Sequence, residues 1–114
     1  MSKHYILDGK TPVVEPDLKK WCVWMEAHQG EQIVRQDFVT PKDADGLLED
    51  VYVSTVFLAF DHNVFNDSGP PLLFETMVFG GPHDQEQRRC TTWEEAEQIH
   101  AEMIALVKQG ETHE

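Results

Sequence analysis

Two short clusters carry the side chains best suited to metal binding or proton transfer: Asp61-His62-Asn63 and His83-Asp84. A carboxylate beside an imidazole can ligate a divalent metal or shuttle a proton. Each cluster alone supplies too few ligands for a closed site. Distance argues against combining them, because Asp61 ends one apolar run and His83 follows the next. A strand from Leu72 to Phe79 spans about 26 Å at roughly 3.3 Å per residue, so the clusters fall at opposite ends. Asp61, Asn63 and Asp67 have a calcium-like spacing. Phe65 and Asn66, however, stand where such a loop needs an oxygen ligand and a glycine. Two readings of the loop stay open. Asp61, His62, Asn63 and Asp67 either form turns with their own backbone or make a binding loop, since long connections are disproportionately functional. No metal ligand is assigned.

The nucleophile search also ends without a site. No G-x-S-x-G elbow occurs, and neither Cys22 nor Cys90 has a neighbouring His or a glycine-rich setting. Cys22 falls on the apolar spacing of a helix and reads as core. Cys90 follows Arg88-Arg89, two cations that lower a thiol's pKa, yet nothing else catalytic accompanies it. The two cysteines show no C-x-x-C spacing and suit a reduced compartment, as buried free thiols rather than a bridge. Gly80-Gly81-Pro82 is a turn and not a phosphate loop, because no helix or lysine follows. The chain therefore reads as a non-enzyme, with no catalytic residue and no cofactor.

Composition narrows the partners. Nine Lys and Arg against 21 Asp and Glu give the 114 residues a formal charge of -12. Such a surface repels phosphates, which argues against nucleic acid and anionic membranes. The N-terminal residues lack the apolar run of a signal peptide, and no stretch reaches the length of a membrane helix. A cytoplasmic protein is expected. Its length and 40% hydrophobic content suit one domain with a core of its own.

The elements follow from periodicity. His4 to Leu7 and Val13-Val14 are extended pieces around a Gly9-Lys10 turn. Leu18, Trp21, Cys22 and Met25 recur at helical spacing, which predicts a helix over Pro16 to His28. Gln32 to Thr40 alternates as a strand, and Pro41 to Asp50 is loop-like. Val51 to Phe60 and Leu72 to Phe79, dense in β-branched and aromatic residues, are the strongest strands. Gln85 to Thr91 returns as a more exposed strand. Thr92 with Glu95 makes a capping box for a last helix, whose stripe is Ala96, Ile99, Met103, Leu106 and Val107. Gly110 supplies its stop. The expected fold is α+β: a single domain over 1–114, about 1–3 and 110–114 frayed, with an antiparallel sheet of four to five strands and two α-helices packed on one face.

The two strongest strands are apolar on both faces, unlike an antiparallel sheet with one wet side. Placing Phe60 opposite Leu72 puts Val53, Thr55, Phe57, Glu75, Met77 and Phe79 on a common face, the candidate binding surface. Helices cover one side of such a sheet. The second cover is the N-terminal segment, a second copy or protein partner, or a small molecule. Glu75 has no Lys or Arg near it in sequence, and reads either as an edge carboxylate reaching water or as a contact group. Glu95, Glu97 and Glu102 make a candidate acidic face on the last helix. That face is either simply solvated or presented to a basic host protein in imitation of phosphates.

Val53-Ser54-Thr55-Val56-Phe57-Leu58, Asp61-His62, the run from Gly69-Pro70-Pro71 through Leu72-Leu73-Phe74-Glu75-Thr76-Met77-Val78-Phe79 to Gly80-Gly81-Pro82, and Thr92-Trp93-Glu94-Glu95-Ala96 together resemble a family of small uncharacterised bacteriophage and prophage proteins. The resemblance covers the last two thirds of the chain. It implies a mobile-element origin and expression in the cytoplasm of a bacterial host, and it transfers no catalytic residue. The expected function is that of an acidic accessory protein acting by protein–protein binding or self-association as a homodimer, with interference with a host factor as one mode. The alternatives are a dimeric small-molecule sponge and, lower, a small metal-dependent enzyme using Asp61 and His62.

Overall fold

The structure is a computed structural model and describes residues 3–40, 50–61 and 69–109. Gly9, at φ 66°, turns a short hairpin of strands β1 (Tyr5–Asp8) and β2 (Thr11–Val14). Helix α1 (Leu18–Ala27) starts two residues later than Pro16 because Asp17 is its cap. The Asp17 carboxylate accepts from the Lys19 and Lys20 amides at 2.9 and 3.2 Å. Those are two of the four amides that a helix start leaves unpaired.

A single 3-10 turn at Gln29–Gln32 leads into β3 (Ile33–Val39). Strands β4 (Val51–Phe57), β5 (Phe74–Phe79) and β6 (Gln87–Cys90) follow, each antiparallel to the one before. Helix α2 (Trp93–Lys108) comes last among the described elements. Its capping box forms as the Thr92/Glu95 spacing predicts. The Thr92 hydroxyl accepts from the Glu95 amide, and the Glu95 carboxylate accepts from the Thr91 and Thr92 amides, all at 3.1 Å. The sheet order is β3-β4-β5-β6, with the β1–β2 hairpin a separate pair. The fold is α+β, a four-stranded antiparallel sheet and a two-stranded hairpin with two helices. No helix among the described residues is long and apolar enough to cross a membrane.

One side of the sheet is dry. Val51, Val53, Thr55 and Phe57 of β4 and Phe74, Thr76 and Val78 of β5 are all buried. Helix α2 lies over them with Ala96, His100, Met103 and Val107 inward. Burying Met103 and Val107 contributes about 1.5–3 kcal/mol each. Beyond Phe57, the cover passes to α1 and the N-terminal hairpin: Tyr5, Leu7, Trp21 and Trp24 pack around Phe57, Ala59 and Phe74. Trp24 meets Phe57 edge-on at 6.2 Å, so both helices reach the same face. Lys10, in the hairpin turn, stands 5.6 Å over the Trp93 ring at the start of α2.

The strand register corrects the sequence expectation. Phe57 pairs with Phe74 and Tyr52 with Phe79, one residue away from the register that placed Phe60 opposite Leu72. Phe60 does not pair with β5. Ala59, at φ 69°, kinks the chain after β4, and Phe60 bridges His4 of the N-terminal segment instead. A one-residue slip sends each side chain of a strand to the other face. Val53, Thr55 and Phe57 therefore lie buried beneath the helices, whereas Glu75, Met77 and Phe79 point the opposite way. The six residues do not share a surface. Between β5 and β6 the chain turns at Gly80 and Gly81, at φ 98° and 71°. A Cβ on Gly81 would stand 2.9 Å from Val51 Cγ2, so glycine alone fits there.

Candidate functional site: the open face of the sheet

Residues opposite one another on antiparallel strands share a face. Across β3 and β4 the outward pairs are Ile33 with Val56, Gln36 with Ser54 and Phe38 with Tyr52. Val34 is the extra residue of a bulge, which lets Ile33 join this side. Across β4 and β5 the pairs are Tyr52 with Phe79, Ser54 with Met77 and Val56 with Glu75. Strand β6 adds Arg89 beside Glu75 and Gln87 beside Met77. Phe38 is 74% exposed, Phe79 44% and Ile33 41%. Ring centroids run Phe38–Tyr52 at 4.9 Å and Tyr52–Phe79 at 5.8 Å, an aromatic row across three strands. The sequence signal was present, since both strands are apolar on both sides. The register was needed to say which residues were outside.

Glu75 does have a basic partner. Arg89 Nε donates to its carboxylate at 3.0 Å, brought there by the β5–β6 hairpin rather than by sequence proximity. Such a half-exposed pair is worth at most about 1 kcal/mol. Its larger effect is on charge, because Glu75 and Arg89 are the only ionic side chains at the paired positions of this face, and they cancel.

The other candidates separate. Asp61 accepts from the Leu72 amide at 2.9 Å, a turn-forming bond, while His62, Asn63 and Asp67 lie outside the described residues. The acidic face does not form one row. At 100° per residue Glu95 and Glu102 share a flank of α2, and Glu97 falls nearly opposite. Glu95 is bonded to two amides as the capping residue, and Glu102 faces Gln98 at 3.3 Å and Arg88 at 3.8 Å. His83 is buried in the β5–β6 turn with Nδ1 3.3 Å from Glu86, and Asp84 accepts from the Gly80 amide at 2.7 Å. Among the described residues, no three His, Cys, Asp or Glu side chains converge as metal ligands.

The cysteines are both free. Cys22 is exposed rather than core, because Trp21, Trp24 and Met25 take the inward side of α1. Cys90 is buried, and burial pushes its thiol up to about 11, with the nearby Glu95 charge adding to the shift. The two arginines before it do not lower it. Arg89 is engaged by Glu75, and Arg88 by Glu86 and Glu102. At pH 8 about 0.1% of such a thiol is thiolate. Iodoacetamide should therefore modify Cys22 in the native protein and leave Cys90 until unfolding. Equal labelling of both before unfolding, read by peptide mass spectrometry, would contradict this burial.

One constellation was missed by sequence reasoning. His100, buried in α2, has Nε2 2.8 Å from Asp37 Oδ2 of β3 and Nδ1 2.7 Å from the Thr55 hydroxyl of β4. Thr55 in turn meets the Thr76 hydroxyl of β5 at 2.6 Å. The hydrogen bond from His100 holds the Asp37 carboxyl below its usual range; burial opposes this, and the Arg35 guanidinium at 3.1 Å assists. Carboxylate, imidazole and hydroxyl stand in the order of a nucleophile relay. However, Thr55 and Thr76 are 0% and 1% exposed, so no substrate reaches either hydroxyl in this conformation. The chain of bonds ties three strands to α2. Its only sequence signal was a histidine on the helix's apolar spacing, four residues after Ala96 and three before Met103. Compared with known proteins, the chain matches no family model, no curated protein and no solved structure.

Proposed function

We propose that this chain is a small acidic accessory protein, non-enzymatic, that works by protein–protein contact through the open face of its sheet. The phage-like motifs of its last two thirds suggest the cytoplasm of a bacterial host as the setting. The observation that carries the reading is the aromatic row Phe38–Tyr52–Phe79, exposed at both ends and half-buried at Tyr52, and extended by exposed Ile33 and half-buried Met77. Apolar patches of this extent on small proteins are often contact sites, and aromatics, Met and Arg are the residues enriched in interface cores. Nucleic acid is disfavoured by the charge of -12.

The test is chemical cross-linking in a bacterial producer, comparing the wild type with Phe38→Asp. The exposed position of Phe38 lets the variant fold. A protein cross-linked to the wild type, whether another chain or a second copy, should fall at least about tenfold with the variant, as loss of an aromatic anchor does. Equal cross-linking would overturn the reading.

A further inference from the structure

We infer that the occupant of the open face is a second copy of this chain, packed face to face about a two-fold axis. This rests on the reading of that face as a protein contact and names its partner. Charge is the first argument. Two chains of -12 each repel one another over most approaches. The open face is an exception, because Glu75 and Arg89 sum to zero and its remaining paired positions are uncharged. A two-fold arrangement buries the same patch twice and so adds no net charge to the interface. A basic partner would instead be drawn to carboxylates, and these lie elsewhere, Glu95 and Glu102 along α2 among them.

Area is the second argument. The exposed apolar surface of Phe38, Phe79 and Ile33 comes to about 250–375 Å² per copy, taking 150–250 Å² for a whole aromatic side chain, and the half-buried Tyr52 and Met77 add to it. Two copies with their polar border then bury about 1,200 Å², the lower limit for a specific interface. An interface at this lower limit suits a weak, reversible dimer. Sheets packed in this way sit about 10 Å apart with interleaved side chains, which the row of rings supplies.

Sedimentation velocity tests the inference, on wild type and Phe38→Asp from about 1 to about 300 µM, in low and moderate salt. The wild type should pass from monomer to dimer within that concentration range. Added salt should strengthen the dimer about threefold or more, because it screens the repulsion between two acidic bodies. Phe38→Asp should weaken it at least about tenfold while leaving the circular dichroism spectrum unchanged. Arg89→Glu, a second variant, gives each face two negative charges and should weaken the dimer more at low salt than at high. A wild type that stays monomeric throughout overturns the second copy, as does a dimer indifferent to Phe38→Asp or one that salt dissociates. If such a monomer still loses its cross-linked protein with Phe38→Asp, only the identity of the occupant falls. If that cross-linking is also indifferent, the contact face falls with it.

Discussion

Replacing His100 with alanine is expected to lower the unfolding free energy by about 3–4 kcal/mol, a large part of the roughly 5–15 kcal/mol available to a domain of this size. His100 is 0% exposed and makes a bond at each ring nitrogen. Nε2 faces the Asp37 carboxylate at 2.8 Å and Nδ1 the Thr55 hydroxyl at 2.7 Å, so both ring nitrogens are engaged. The Thr55 hydroxyl also meets that of Thr76 at 2.6 Å, which extends the chain to β5. Alanine leaves a cavity and takes a partner from both the Thr55 hydroxyl, which keeps only Thr76, and the Asp37 carboxylate, costs that add. Thr76→Val removes only the far hydroxyl of the chain and should cost no more than about 1 kcal/mol. Urea unfolding of both variants measures the difference. A loss below about 1 kcal/mol for His100→Ala would mean that the network does not hold α2.

The same network sets an acid limit. Asp37 has its folded pKa depressed, so its contribution is complete above the unfolded carboxylate value, about 4. It is lost as pH falls through the lower folded value. Asp37→Asn should therefore flatten the acid side of the stability curve while lowering stability near neutrality.

Trp21→Ala should have an effect of similar size in a different place, about 3 kcal/mol. The indole Nε1 donates to two carbonyls, Tyr5 at 3.0 Å and Ala59 at 3.1 Å. Those carbonyls belong to the two segments that meet at the kink after β4. The ring also packs against His4, with centroids 4.5 Å apart. Removing it takes one donor from each carbonyl, the Ala59 carbonyl keeping the Tyr5 amide, and opens the joint between the N-terminal hairpin and the sheet. Hydrogen exchange should report a local event. The Tyr5 amide, bonded to the Ala59 carbonyl at 2.7 Å, should lose most of its protection, while β4 and β5 keep most of theirs. Uniform loss throughout would show that the hairpin and sheet unfold as one unit.

Much of the architecture was legible in residue types. The density of β-branched and aromatic residues in Val51–Phe60 marked a strand, and Thr92 with Glu95 marked a helix start, because each is decided by neighbours a few residues away. The pairing of sequential strands was legible for the same reason. What escaped depended on contacts from far along the chain. Phe60 looks like a continuation of its strand, but His4 takes it as a partner, and that choice set which residues face outward. His100 looks like one more inward helix position until Asp37 arrives 63 residues away in sequence. Cys22 fits an apolar stripe, yet α1 buries none of its residues completely, since its support is a two-stranded hairpin and not the full sheet. Of the candidate surface, Glu75, Met77 and Phe79 share the open side, and Phe38 and Tyr52 complete it from β3 and β4.

The joint at residues 58–61 also bears on how the protein is made. Strands β3 to β6 each pair with a neighbour in sequence, so the sheet closes over shorter spans of chain than the one back to the N-terminal segment. The N-terminal segment must wait. Lys3 meets Asp61 through a backbone bond, and closing that span costs about 1 kcal/mol more than closing Phe57 onto Phe74. On a ribosome adding roughly 5–20 residues per second, Trp21 and Trp24 emerge several seconds before residues 58–61 can receive them. During that interval the nascent chain exposes the two tryptophans of α1, so chaperone binding should concentrate on the first part of the protein to be made.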